Sequence, residues 1–224
     1  MILGIYGAGG LGNELYELAE DVNIVCNNWN DIIFIDDSYN NLDKFKKIMT
    51  FNKLSKFLNK NNLNSDDIEF VIGVGEPLVR KKLYNRIKEN GYKLTSLVHP
   101  KSRLSKNSNI GAGVIVGFGS YISCNVTIKE NTLIMPLTSI GHDTNIGSNS
   151  VISSYVSVGG NSVIGSQTFM GMGVQVIQNS NIGSNSIVSI GSVVTRDIDN
   201  DVIALGNPAR AIRRNEKNRV FKGV

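Results

Sequence analysis

Residues 110–115 read Ile110-Gly111-Ala112-Gly113-Val114-Ile115, and the figure returns at Ile146-Gly147-Ser148-Asn149-Ser150-Val151, Val158-Gly159-Gly160-Asn161-Ser162-Val163, Ile164-Gly165-Ser166-Gln167-Thr168-Phe169 and Ile182-Gly183-Ser184-Asn185-Ser186-Ile187. The period is six. Stepping by six from Val98 through Leu104, Ile110 and Val116 to Val188 and Val194 meets only aliphatic residues, seventeen in succession. The next position is Gly in eight of these hexads, and the fifth is Ser, Thr or Val in sixteen, with only Ile198 larger. Aliphatics make up roughly a quarter to a third of an average chain, so such a register is not chance.

A strand repeats every two residues and a helix every 3.6, so neither alone turns one aliphatic inward per six. A coil of three short strands joined by tight bends does. Three hexads make one triangular turn, the aliphatic fills the interior, and the small fifth position lets walls meet at the corners. The stretch 98–199 holds seventeen hexads, between five and six such coils without an insertion. Successive strands on one wall pair in parallel, about 4.8 Å apart.

Residues 1–97 are built differently. Ile2–Tyr6 reads as a strand, Gly7-Ala8-Gly9-Gly10-Leu11-Gly12 as a tight loop, and Leu15, Leu18 and Ala19 follow at helical spacing. Asp31–Ile35 forms a second strand that runs into Asp36 and Asp37, and Glu69–Val74 a third that ends at Gly75. A helix from Pro77 to about Asn90 starts on proline and stops before Gly91. The segment Leu42–Leu63, with six lysines among Phe45, Ile48, Leu54, Phe57 and Leu58, suggests a basic amphipathic helix broken near Thr50. It reads as a solvated helix face, with a membrane or RNA surface as the alternative. Alternating strands and helices predict a small Rossmann-like α/β domain whose crevice lies at the carboxyl ends of its strands. Gly7, Gly9 and Gly12 satisfy G-x-G-x-x-G, and the acidic pair Asp36-Asp37 closes the next strand, where a dinucleotide fold would place it. That loop suits any phosphate-bearing ligand. One mononucleotide unit without a second half argues against NAD.

The chain has 224 residues with 41% hydrophobic, which excludes disorder. It has no apolar run long enough to span a membrane and no basic leader pattern at Met1, so the expectation is a cytoplasmic protein. Cys26 and Cys124 lie far apart in the chain and outside any CxxC, so neither a disulfide scaffold nor a metal site is expected. The net charge is +4, and the excess lies from Arg210 onward: six basic residues stand there against Glu216 alone.

Two histidines are present, and acyl transfer to an amine or hydroxyl needs a base near neutral pH. His142 stands at an outward corner of the repeat with Asp143 beside it, the arrangement of a base and its orienting carboxylate. His99, before Pro100, reads as structural.

These residues together, with the closing Gly206-Asn207-Pro208-Ala209-Arg210, resemble the sugar O-acyltransferase family of hexapeptide-repeat enzymes. That family includes bacterial N-acetyltransferases acting on UDP- or dTDP-linked 4-amino-4,6-dideoxy sugars, and sialic-acid O-acetyltransferases. The resemblance covers about residues 1–214. It implies a left-handed parallel β-helix, an exception to the right-handed rule for parallel crossovers. The domains are then a nucleotide-sugar-binding domain at 1–97 and an acetyltransferase β-helix with a basic tail at 98–224.

The resemblance also implies a homotrimer with acetyl-CoA between adjacent β-helices, no metal, and no nucleic acid or membrane partner. His142 matches the catalytic base and Asp143 its partner. Gly10, Leu11, Gly12, Asp36, Asp37 and Gly75 match the positions that receive the nucleotide sugar. Gly160, Met172, Ile190, Gly191 and Pro208 match positions along the acetyl-CoA groove, with Arg210, Arg213 and Arg214 placed for CoA phosphates. The substrate expected is the 4-amino group of a UDP- or dTDP-linked amino sugar, for a cell-surface glycan. O-acetylation of sialic acid or another sugar, a non-catalytic scaffold with a nucleotide-sensing head, and an NAD-dependent protein are the competing readings.

Overall fold

The computed structural model describes residues 1–38, 47–216 and 219–221. Five parallel strands open the chain: β1 (Ile2–Tyr6), β2 (Asp31–Ile35), β3 (Ile48–Met49), β4 (Ile68–Ile72) and β5 (Lys93–Leu94). Their order is β3-β2-β1-β4-β5, with β1 paired to β2 and β4 along its whole length. The winding therefore reverses at β1, and a crevice opens beyond the carboxyl ends of β1 and β4.

Three helices cover the sheet: α1 (Gly10–Cys26), α2 (Phe51–Lys60) and α3 (Pro77–Glu89). Phe51, Leu54 and Leu58 of α2 and Ile87 of α3 bury one face against Tyr6, Ile33, Ile35, Phe70 and Ile72. Leu15, Leu18, Ala19 and Val22 of α1 bury the other against Leu3, Ile5, Phe34 and Val71.

The sequence showed three strands here, and the structure adds β3 and β5, each only two residues and too short to carry a period. Thr50 is indeed the break in the lysine-rich segment, as the residue preceding α2. Ile48 and Met49, read as helix, are a strand instead, because both pair with β2. Residues 42–46 of that expected helix lie outside the described residues.

From Leu97 onward the chain is a parallel β-helix. Seventeen two-residue strands, from Leu97–Val98 to Val193–Val194, each end on one of the aliphatics that step by six. Strands pair with others three hexads away, as Ile122 with Ile140, Ile128 with Ile146 and Ile134 with Ile152, which makes three walls. The aliphatics stack into one core.

Where the fifth position of the hexad is Ser or Thr, from Ser120 onward, it is buried yet polar for a reason. Its hydroxyls donate to carbonyls at the same corner of the next coil: Thr132 to Gly147 O at 3.0 Å, Thr138 to Ser153 O at 3.0 Å, Ser150 to Gly165 O at 2.8 Å. The fourth position carries more order than its sequence suggests. From Gly113 to Gly191 every sixth residue has a positive φ, and most are Asn, Gly or Asp, the types that tolerate it.

One wall differs from the others. The residue before its inward aliphatic is Leu97, Ile115, Leu133, Val151, Phe169 and Ile187 in successive coils. The first four are buried with the apolar residues of α1, which is therefore clamped between sheet and β-helix. On the other walls the same outward position holds residues such as Arg103, Ser139, Asn109 and Asn145.

A second tie joins the two parts. Arg80 of α3 is wholly buried, and burial pushes its pKa down to about 9, still charged at pH 7. Its guanidinium donates to Ile72 O and Val74 O at 2.8 and 2.9 Å, and to Asn131 O and Oδ1 at 3.0 and 2.8 Å. Asn131, a β-helix corner, donates back to Arg80 O at 3.0 Å.

The β-helix closes with strand Val202–Leu205, added to the wall under α1, and an antiparallel partner, Arg210–Arg214. Among the described residues no helix is long and apolar enough to cross a membrane.

Candidate active site

His142 sits at a corner of the β-helix, and its Nδ1 lies 2.7 Å from Asp143 Oδ2. Asp143 occupies the corner position with φ 57°, stacked between Asn125 one coil before and Asn161 one coil after. Elsewhere in this column, Asn161 donates to Asn179 at 2.7 Å. An aspartate in an asparagine ladder has one consequence. It can only accept, so it takes the Asn125 amide at 3.0 Å on Oδ1 and the imidazole N–H on Oδ2.

The proton of neutral His142 therefore sits on Nδ1, and Nε2 keeps its lone pair. The Asn125 amide first, and the His142 ring second, hold the Asp143 carboxyl below the usual carboxylate range. Asp143 thus stays ionised wherever an imidazole titrates.

Gly160 lies one coil on, under the imidazole. A Cβ there would stand 2.6 Å from His142 Nε2 and 2.7 Å from Cε1. The ring is the free end of a side chain and can swing away, so Gly160→Ala should keep the fold and displace the imidazole. A loss of about 10- to 100-fold in turnover with an unchanged melting temperature is expected; full activity would show that the ring's position does not matter.

A cavity of about 630 Å³ lies between the α/β domain and the wall under α1. Leu11 and Gly75 contribute from the domain, and Phe169, Met172, Ile187 and Ile190 from the β-helix. Of the residues expected from sequence, Leu11, Gly75, Met172 and Ile190 are thus brought together. Gly10 and Gly12 flank Leu11 at the start of α1, and Gly191 follows Ile190. A Cβ on Gly12 would run into the carbonyl of Gly7, and one on Gly73 into the Cα of Gly12, whereas Gly9 and Gly10 face open space. The loop thus splits into packed glycines and approachable ones.

Asp36 and Asp37 are both engaged within the domain. Asp36 accepts from Ala8 N at 2.8 Å and Ser38 N at 2.9 Å, and so holds the glycine loop in shape. Asp37 accepts from Tyr6 Oη and Arg86 Nη1, each at 2.6 Å, and from Phe51 N at 3.0 Å. Burial pushes the Asp37 pKa up, but these donors outweigh it and hold it below the usual range.

Pro208 follows a cis bond in the closing hairpin, and Arg210, Arg213 and Arg214 stand exposed on its last strand. His99 is buried, with Nε2 3.1 Å from Asp21 and Nδ1 accepting from Lys101 N at 2.9 Å.

Phe169 and Ile187, which face the cavity from the β-helix, were missed in the sequence. Their signal was there: a large apolar residue just before the inward aliphatic, in every third hexad from Leu97 to Ile187, marks the one wall that is covered. His142 belongs to a different corner and does not line the cavity.

Residues 3–87 match the family model of the PglD N-terminal domain, and residues 125–160 that of the bacterial transferase hexapeptide (six repeats). Several solved structures are similar over nearly the whole chain. A histidine-to-asparagine variant of perosamine N-acetyltransferase from Caulobacter crescentus, in complex with CoA and GDP-perosamine, is 23% identical, with 94% of this chain and 96% of that one covered and a TM-score of 0.85. The acetyltransferase domain of PglB from Neisseria gonorrhoeae FA1090, in complex with acetyl coenzyme A, is 24% identical, with 94% and 98% covered and a TM-score of 0.84. WeeI from Acinetobacter baumannii AYE is 23% identical, with 95% and 100% covered and a TM-score of 0.83. The fold is thus a Rossmann-like domain followed by a left-handed β-helix of hexapeptide repeats.

Proposed function

We propose that the chain is an acetyl-CoA-dependent N-acetyltransferase that acts on the 4-amino group of a nucleotide-linked 4-amino-4,6-dideoxy sugar. The observation that carries this reading is the cavity where Leu11 and Gly75 of the α/β domain meet Met172 and Ile190 of the β-helix. A transferase for two large substrates needs such a junction. Residues 1–97 would hold the nucleotide sugar, with Gly9 and Gly10 open to phosphate and Asp36 supporting the loop. Residues 98–224 would hold acetyl-CoA. The Met172 and Ile190 side of the cavity suits a pantetheine arm, and Arg210, Arg213 and Arg214 offer cations to its phosphates. The related GDP-perosamine complex adds GDP to UDP and dTDP as nucleotides to test.

Because His142 and the cavity lie on different parts of the prism, a second copy would bring its corner to the first copy's cavity. A homotrimer in the cytoplasm completes the reading, with active sites between subunits. The prism favours such packing, since residues 98–199 hold only five Lys or Arg and four Asp or Glu.

Bound acetyl-CoA supplies the acyl group as a thioester. His142 Nε2 takes a proton from the 4-amino nitrogen as that nitrogen bonds to the acyl carbon, and returns it to the departing thiolate sulfur. Asp143 stabilises the imidazolium formed in between. The backbone N–H of Gly160, beside the ring, would steady the oxyanion.

A thiol-release assay with acetyl-CoA and a panel of UDP-, dTDP- and GDP-linked 4-amino-6-deoxy sugars tests this. Turnover on one amino sugar is expected. Turnover on sialic acid alone would replace the amino-sugar reading with O-acetylation, and silence on the whole panel would overturn an acetyltransferase of this class.

A further inference from the structure

Glu76 stands just past the carboxyl end of β4, directly after Gly75, and is only 2% exposed, rare burial for a carboxylate. Burial of that group is tolerated only where donors compensate for lost water. Its donors come from far along the chain. The backbone N–H of Val220 lies 3.0 Å from Glu76 Oε2 and 3.2 Å from Oε1, and that of Phe221 lies 3.1 Å from Oε2.

These contacts hold the segment 219–221 against the crevice. The Phe221 ring meets Phe169 edge-on at 5.6 Å between centroids, and its edge lies 4.0 Å from the place of a Cβ on Gly75. Val220 and Phe221 thereby become part of the cavity wall, and about 630 Å³ of space remains beside them. The segment borders the space and does not fill it.

We propose that this segment is a strap that completes the sugar side of the crevice, with Glu76 as its anchor and Phe221 as a substrate-positioning residue. This rests on the acetyltransferase reading. Phe221 and Phe169 form an aromatic corner next to Gly75, which suits the apolar face and methyl group of a 6-deoxy sugar ring. Neither Glu76 nor Phe221 stood out in the sequence, because a contact of |i−j| = 145 leaves no periodic trace.

Two measurements on the full chain test the strap. In hydrogen exchange, Glu76→Ala should strip protection from the amides of Val220 and Phe221; unchanged protection would overturn the anchor. This readout needs no turnover, so it stands even if the thiol-release panel is silent. In kinetics, Phe221→Ala should raise KM for the nucleotide amino sugar about tenfold and leave KM for acetyl-CoA within about twofold. Phe221→Tyr should restore the lower value. An equal rise in both constants, no rise in either, or a gain in activity, as from removal of a plug, would each overturn the assignment.

Discussion

His142→Ala is expected to lose about two to four orders of magnitude in turnover, with the affinity for acetyl-CoA nearly unchanged. The expectation comes from the ladder of corner residues. Asp143 replaces an asparagine, accepts from Asn125 on one oxygen, and fixes the imidazole proton on Nδ1 with the other. Nε2 is then available as a base, and deleting the ring removes it without touching the cavity where the acyl donor is proposed to lie. Single-turnover thiol release beside an acetyl-CoA titration checks both halves. Unchanged turnover would end the role of His142, and a matching loss of acetyl-CoA affinity would make it a binding residue instead.

Arg80→Met should destabilise the chain by about 3–5 kcal/mol, a larger effect than loss of an exposed ion pair. Methionine fills similar space but leaves the carbonyls of Ile72, Val74 and Asn131, and the Asn131 side chain, without their donor in a site that water does not reach. Trp29 is the single tryptophan, buried in the α/β domain, so its fluorescence in urea reports that domain. The midpoint should fall by about 2 M. Arg80→Lys should fall nearly as far, because one ammonium cannot span both parts of the molecule. A shift below about 0.3 M for Arg80→Met would show that the guanidinium is not what couples the α/β sheet to the β-helix.

The β-helix was legible because its physics repeats. Each inward aliphatic meets its like three hexads away, so one requirement is written seventeen times. The pairing of His142 with Asp143 was legible too, as an imidazole beside a carboxylate inside that repeat. Harder to read was the fourth hexad position, where Leu137 and Tyr155 at positive φ blur the Asn and Gly pattern. The short strands β3 and β5 also went unseen, since they exist by pairing with β2 and β4 and not by any pattern of their own.

By itself, then, the sequence determined the six-residue period, the three-walled core, the glycine loop at the start of α1 and the pairing of His142 with Asp143. These depend on neighbours in the chain or on a regular offset, so composition and spacing record them. Only the tertiary structure decided that Asp36 and Asp37 are held within the α/β domain, that Leu11 and Gly75 share a cavity with Met172 and Ile190, and that Glu76 is capped by Val220 and Phe221. Those contacts join segments with no common period. Their energy comes from burying polar groups against specific distant partners, and a one-dimensional pattern holds no record of which partner will arrive.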